Sequence, residues 1–155
     1  MLQNSFQHIP GIGKKTEAQL WDAGVTHWQS VTPDNPFRLS LKKYATISTH
    51  IEASFRQLAD NNSGYFKDLL PVQEHWRLFP EFRRSTAFID IETTGMCPWE
   101  MDITTIALYD GKQIKTYTYG QNLDRFAEDI FDYELLVTYN GKSFDIPLLN
   151  TRYTM

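Results

Sequence analysis

The chain has 155 residues, 41% of them hydrophobic and 14% aromatic, which is enough apolar material for a core and too much for a wholly disordered chain. Its formal net charge of −4 excludes a uniformly basic protein that coats nucleic acid. A single cysteine, Cys97, excludes an internal disulfide and a zinc site built on several cysteines.

No apolar run approaches the length of a membrane span. The opening residues, Met1 to Pro10, lack a charged stretch followed by an apolar one, so no signal peptide is expected and a cytoplasmic location is. Charge is uneven along the chain. Residues 1–85 carry 10 Lys and Arg against 8 Asp and Glu, whereas residues 86–155 carry 5 against 11. An acidic segment is a solvated surface or a carboxylate cluster that holds divalent cations.

In chain order, Pro10-Gly11-Ile12-Gly13 reads as a turn that opens a helix near Lys14. Gly24 reads as its C-terminal stop. Pro33 and Pro36 bracket a break. Leu41, Tyr44, Ile47, Ile51, Phe55 and Leu58 then recur at helical intervals, predicting an amphipathic helix over 39–60 that ends at Asn61-Asn62-Ser63-Gly64. A shorter helix follows, up to Pro71. His75, Trp76, Leu78, Phe79 and Phe82 are expected to pack in an irregular or helical link.

From residue 87 the period changes. Ala87 to Glu92 and Ile103 to Tyr109 are strands by composition, and Asp110-Gly111 is a hairpin turn into a third strand, Ile114 to Tyr119. A helix over 122–131 buries Leu123, Phe126, Ala127 and Ile130. Leu135 to Tyr139 is a fourth strand, Asn140-Gly141 breaks it, and a last helix begins near Phe144. The order predicts an α/β fold with a mixed sheet, preceded by a small α-helical domain. Three segments are expected: 1–32, 33–84 and 85–155.

Side chains two apart on a strand share a face, so Asp90 and Glu92 project together, opposite Ile89 and Ile91. Two carboxylates at a strand end suit a hard cation such as Mg²⁺ or Mn²⁺. Thr93-Thr94-Gly95 exits the strand tightly, with hydroxyls and N–H groups for a substrate oxygen. The alternative is a carboxylate pair that decorates a strand edge. Asp145 opens the last helix, where it is either an N-cap or a third acidic ligand.

Phe-Ile-Asp-Ile-Glu-Thr-Thr-Gly, residues 88–95, resembles the first motif of the DEDD (DnaQ-like) 3′–5′ exonucleases, which have the ribonuclease-H-like fold. Tyr-Asn-Gly-Lys-Ser-Phe-Asp-Ile-Pro, residues 139–147, resembles their second motif. More narrowly, the chain is similar to prokaryotic YprB-type proteins, in which a helix-hairpin-helix-like stretch, here Phe6 to Val31, precedes the nuclease domain.

The resemblance implies a two-metal phosphodiester hydrolysis with Asp90, Glu92 and Asp145 as metal ligands and catalytic groups. It implies that Thr93, Thr94 and Gly95 meet the terminal nucleotide and that Asn140 orients the site. The partner is then the 3′ end of DNA or RNA. The family pattern continues with a Tyr or His before a fourth Asp on a late helix, and no acidic residue follows Asp145 here. The ribonuclease-H-like sheet is therefore expected to be incomplete at its C-terminus. Its open edge beside the fourth strand is a route to self-association. The competing readings are a non-catalytic nucleic-acid-binding or interaction protein, and a truncated fragment of the nuclease.

In the front segment, Gly11 and Gly13 with Lys14 and Lys15 are candidates for a phosphate contact through backbone N–H groups and charge. The alternative is an ordinary helix-start turn with two solvated lysines. His8, His27, His50 and His75 have no ligand spacing, and Trp21, Trp28 and Trp76 read as core or interface. Trp99, just after the acidic motif, is a possible base-stacking ring. Asp102 reads as a strand-start polar residue, and Asp124, Glu128, Asp129 and Asp132 as a solvated helix face.

Overall fold

A computed structural model describes residues 1–33, 40–95 and 101–153. Pro36, Cys97 and Trp99 lie outside the described residues. The chain forms two units, Met1–Phe82 and Arg83–Met155.

In the first unit, α1 (Lys14–Asp22) follows the Pro10–Gly13 turn as expected. It stops in a Schellman arrangement: the Val25 N–H donates to Leu20 O and the Gly24 N–H to Trp21 O, both at 2.9 Å. Gly24 sits at φ +86°, a left-handed conformation that side chains with a Cβ disfavour. Helix α2 (Leu41–Ala59) is capped by Ser40 and buries Ile47, Ile51 and Ser54. Leu41, assigned to its apolar face, is exposed, because it lies in the first turn, ahead of the buried stripe. Asn62 caps α3 (Ser63–Leu69) by accepting from the Tyr65 N–H. A 3-10 segment (Val72–Leu78) leads into the single-turn α4 (Phe79–Phe82). Leu78 and Phe82 are buried there, but Trp76 is 57% exposed rather than packed.

Residues 1–33 and 40–82 share one core. The Trp28 ring stacks on Phe66 at 6.0 Å and meets Phe55 edge-on at 5.4 Å. His8 lies against both Trp28 and Phe66. An ion pair runs through this core. Glu17, 1% exposed, accepts from Ser5 Oγ, the Phe6 N–H and Gln7 Nε2. Arg77 reaches it from the far end of the unit at 3.2 Å, bonds Glu74 at 2.6 Å, and lies over the Trp21 and Trp76 rings. A buried carboxylate needs this many partners, since desolvation costs several kcal/mol per ion.

The second unit is built on one four-stranded mixed sheet among the described residues, in the order β3-β2-β1-β4. The strands are β1 (Thr86–Thr93), β2 (Ile103–Tyr109), β3 (Ile114–Thr118) and β4 (Leu135–Val137). β1 pairs antiparallel with β2 and parallel with β4. Asp110 closes the β2–β3 hairpin by accepting from the Lys112 and Gln113 N–H groups. One face of the sheet, with Ala87, Ile89, Ile91, Ile106, Leu108 and Tyr117, packs on Leu123, Phe126, Ile130 and Leu149. Leu149 comes from α6 (Asp145–Tyr153).

Two elements are shorter than expected. The predicted helix over 122–131 is one α turn, α5 (Phe126–Asp129), between 3-10 turns at Leu123–Arg125 and Ile130–Asp132. Burying Leu123, Phe126 and Ile130 at spacings of three and four holds the segment down, and its ends tighten to i→i+3 bonds. β4 stops at Val137 because the chain turns sharply at Asn140, where φ is +56°. Asp129 is not a merely solvated residue. Tyr117 Oη donates to it at 2.5 Å and Lys115 Nζ lies at 3.1 Å. These two donors hold the Asp129 carboxyl below its usual range, and burial followed by the same bond pushes the Tyr117 phenol up.

Two stability predictions follow from the first unit. Glu17→Gln removes the more deeply buried of Arg77's two carboxylate partners, leaves Glu74, and is expected to cost about 1.5–3 kcal/mol in urea unfolding. An unchanged midpoint would remove the ion pair from the account. His8 is fully enclosed, and its pKa falls from 6.5 to about 4, chiefly by burial and then by the charge of His50. Its unfolded form binds a proton first as pH drops. Stability is therefore complete above pH 6.5 and declines by about 3 kcal/mol as pH falls to 4. His8→Gln should flatten that part of the pH profile, and an equally steep profile would rule His8 out as its source.

Candidate functional site

Strand β1 has a double character. Ala87, Ile89 and Ile91 are buried, while Asp90 and Glu92 are exposed on the other face. Asp90 pairs with Ala107 and Glu92 with Thr105, so each carboxylate faces a short side chain across β2. On β1's other side, Phe88 is level with Val137, the last residue of β4. The segment from Thr138 to Phe144 therefore leaves the sheet at the end where Asp90 and Glu92 stand, and Asp145 opens α6 there.

Asp145 is 2% exposed. Thr138 Oγ1 donates to its Oδ2 at 2.5 Å. Asp145 is thus turned into the protein and held, whereas Asp90 and Glu92 face solvent. Among the described residues, no three His, Cys, Asp or Glu side chains form a group able to hold a metal ion. The hard oxygen donors of Asp90 and Glu92 suit Mg²⁺ or Mn²⁺ as they stand, and Asp145 has one carboxylate oxygen not taken by Thr138.

The loop that carries Asp145 is tightly built. Asn140, in its left-handed conformation, accepts from the Ser143 and Phe144 N–H groups, and its side chain is exposed. Gly141 accepts from the Ile146 N–H. A Cβ at Gly141 would lie 1.8 Å from Thr138 Cγ2, so only glycine fits beneath the residue that holds Asp145. In the sequence Gly141 reads as a strand break, and Thr138, a threonine after a strand, carries no signal of its contact seven residues on.

At the β1 exit, the Thr94 N–H donates to Asp102 O and the Asp102 N–H to Thr94 Oγ1. Asp102 is thus a strand-start residue that extends the β1–β2 pairing. Thr93 Oγ1 donates to Gly95 O at 3.3 Å, and Thr94 and Gly95 are exposed.

In the first unit, the Gly11–Gly13 turn has Gly11 at φ +80° and Gly13 as an N-cap without a side-chain bond. Lys14 and Lys15 are exposed at the start of α1. A 3-10 turn (Leu2–Asn4), not an α-helix, stands before that turn.

Residues 87–155 match the family model of the RNase_H superfamily. Nothing among curated proteins or solved structures matches the chain. The second unit, with its mixed sheet and flanking helices, is ribonuclease-H-like in fold. The match associates this unit with nuclease-type chemistry on nucleic acid. No helix among the described residues is long and apolar enough to cross a membrane.

The packing under Asp145 is testable. Gly141→Ala should destabilise the protein by about 1–3 kcal/mol through the clash with Thr138. Thr138→Ser, which deletes Cγ2 and keeps the hydroxyl, should recover part of that loss in the double variant. Additive losses in a urea-denaturation cycle would show that the two residues do not meet.

Proposed function

We propose that the second unit is a metal-dependent nuclease that hydrolyses phosphodiesters from the 3′ end of a nucleic acid. The observation that carries this reading is the Asp90–Glu92 pair. Both carboxylates stand exposed on one face at the end of a central strand, inside the segment that matches the RNase_H superfamily.

Asp90 and Glu92 would hold the divalent ions, Mg²⁺ or Mn²⁺, with Asp145 joining through its free oxygen. Such ions, when bound, make a water acidic enough to attack phosphorus and offset the charge that builds on the leaving oxygen. The protein's own share is positional. Thr138 and Gly141 fix Asp145, while the exposed Gly95 would offer its backbone N–H to the terminal nucleotide, beside Thr93 and Thr94. Asn140, at the tip of the loop, adds an amide. Gly11, Gly13, Lys14 and Lys15 in the first unit would supply a separate, sequence-independent phosphate contact.

A second reading has its own support: Asp145 is engaged by Thr138 and the three acidic residues are not gathered into one cluster. On that reading the unit binds nucleic acid without cutting it.

The experiment is a nuclease assay on 5′-labelled single- and double-stranded DNA and RNA with Mg²⁺ or Mn²⁺. Wild type is expected to yield a ladder that shortens from the 3′ end, and Asp90→Asn/Glu92→Gln to lose it by at least a hundredfold, as for removal of a metal-supporting group. Mn²⁺ should also raise the melting temperature of wild type and not of Asp90→Asn. Retained binding without cleavage in wild type would select the second reading.

A further inference from the structure

The second unit holds another feature at the same end of its sheet. Thr118, the last residue of β3, pairs with Thr105, which pairs with Glu92. Tyr119 and Gly120 therefore emerge two strands from the carboxylates, about 10 Å away at the spacing of neighbouring strands. There an open groove of about 680 Å³ is lined by Tyr119, Asn122, Asp124, Arg125 and Arg152.

The groove is held in shape. Asn122 Oδ1 accepts from the Thr118 N–H and its Nδ2 donates to Thr116 O, which ties the loop to β3. Tyr153 Oη donates to Leu123 O and pins the end of α6 to the same loop. The Arg152 guanidinium lies 5.9 Å from the centre of the Tyr119 ring and 5.7 Å from that of Tyr153. Tyr119 is 62% exposed. Among the described residues, the carboxylate that pairs with Arg152 is Asp124, at 3.5 Å, whose side chain is 95% exposed. Such an exposed, stretched pair is weak and readily exchanged for a stronger anion. Arg125 lines the groove with a second positive charge.

This combination is an accessible aromatic face beside two guanidiniums in a segment otherwise rich in acid. Planar guanidiniums take phosphate oxygens in pairs, and a tyrosine face takes any base. We propose that Tyr119, Arg125 and Arg152 form a strand-binding subsite for one nucleotide of a single-stranded nucleic acid. The base stacks on Tyr119, and the phosphodiester displaces Asp124 from Arg152 and bridges to Arg125. The proposal deepens the nuclease reading, on which it rests for the substrate class: it gives the strand a hold at the same end of the sheet as the carboxylates, which would themselves repel it without metal. The seven residues from Asp145 to Arg152 span about 10 Å of helix, so α6 carries a group for each of the two places.

The test is fluorescence anisotropy of 5′-fluorescein-labelled single-stranded DNA and RNA 12-mers in EDTA, where no metal-dependent cleavage occurs. Tyr119→Leu is expected to weaken binding roughly tenfold. Arg152→Gln should weaken it several-fold and lower the slope of log affinity against log salt by about one. Lys112→Gln, the same charge change at the hairpin tip, should have little effect. Asp124→Asn should tighten binding a few-fold, a gain that a folding defect cannot imitate, and Asp132→Asn should not. Equal effects of Arg152→Gln and Lys112→Gln, or no gain in Asp124→Asn, would overturn the subsite. Failure of the two readings is distinguishable. Cleavage that is indifferent to Tyr119 and Arg152 would remove the subsite and keep the nuclease. Binding that depends on them, in a protein that never cuts, would keep the subsite and remove the nuclease.

Discussion

The alternation of β1 is the constraint on which the second unit rests. Ala87, Ile89 and Ile91 fill the core from one face while Asp90 and Glu92 stand on the other. A slip of one residue would exchange the two sets, placing two carboxylates in an apolar core and three apolar side chains in water. The cost of burying unpaired carboxylates is far above the stability of a small domain. The packing of the core and the placing of the acidic pair are therefore one requirement. β1 pairs with β2 on one side and with β4 on the other, so its register sets that of both.

Around that strand, the three acidic residues differ in their surroundings. Asp90 and Glu92 are accessible; Asp145 is enclosed and already accepts a hydroxyl. Fixing Asp145 needs a sharp turn at Asn140, a glycine under Thr138, and a threonine whose hydroxyl points back. The same loop ends β4 early, so the short fourth strand and the position of Asp145 have one cause.

The first unit solves a different problem. Apart from α2 it has short helices and several 3-10 turns, with limited regular structure to hold its ends together. Glu17 and Arg77, sixty residues apart, join the two ends, with backbone and side-chain donors completing the carboxylate's shell. Trp28, Phe66 and His8 pack beside them in a core that spans residues from the front and the middle of the chain. The ion pair is costly to bury, so it specifies one arrangement of the unit rather than adding to stability in proportion to its contacts.

Much of this was legible in the sequence. Period-two alternation located β1 and its acidic face, Asp110-Gly111 located the hairpin, and Gly24 and Asn61-Asn62 marked helix ends, because each signal is local to a few residues. It was the resemblance to the exonuclease motifs that grouped Asp145 with Asp90 and Glu92, and among the described residues no three such side chains form a metal-holding group. Other features were decided only by tertiary structure. No sequence signal marks Glu17 as buried, since its partner Arg77 lies far along the chain. Leu41 and Trp76 read as packing residues and are exposed, because neither falls where a neighbouring element covers it. Asp129 reads as solvated and is bonded by Tyr117 and Lys115 from a strand. Thr138, Tyr119 and Arg152 carried no signal at all. A sequence records which residues alternate or cap, because those effects act over one turn or one pleat. Which distant side chains meet depends on how strands pair and helices cross, and no local pattern encodes it.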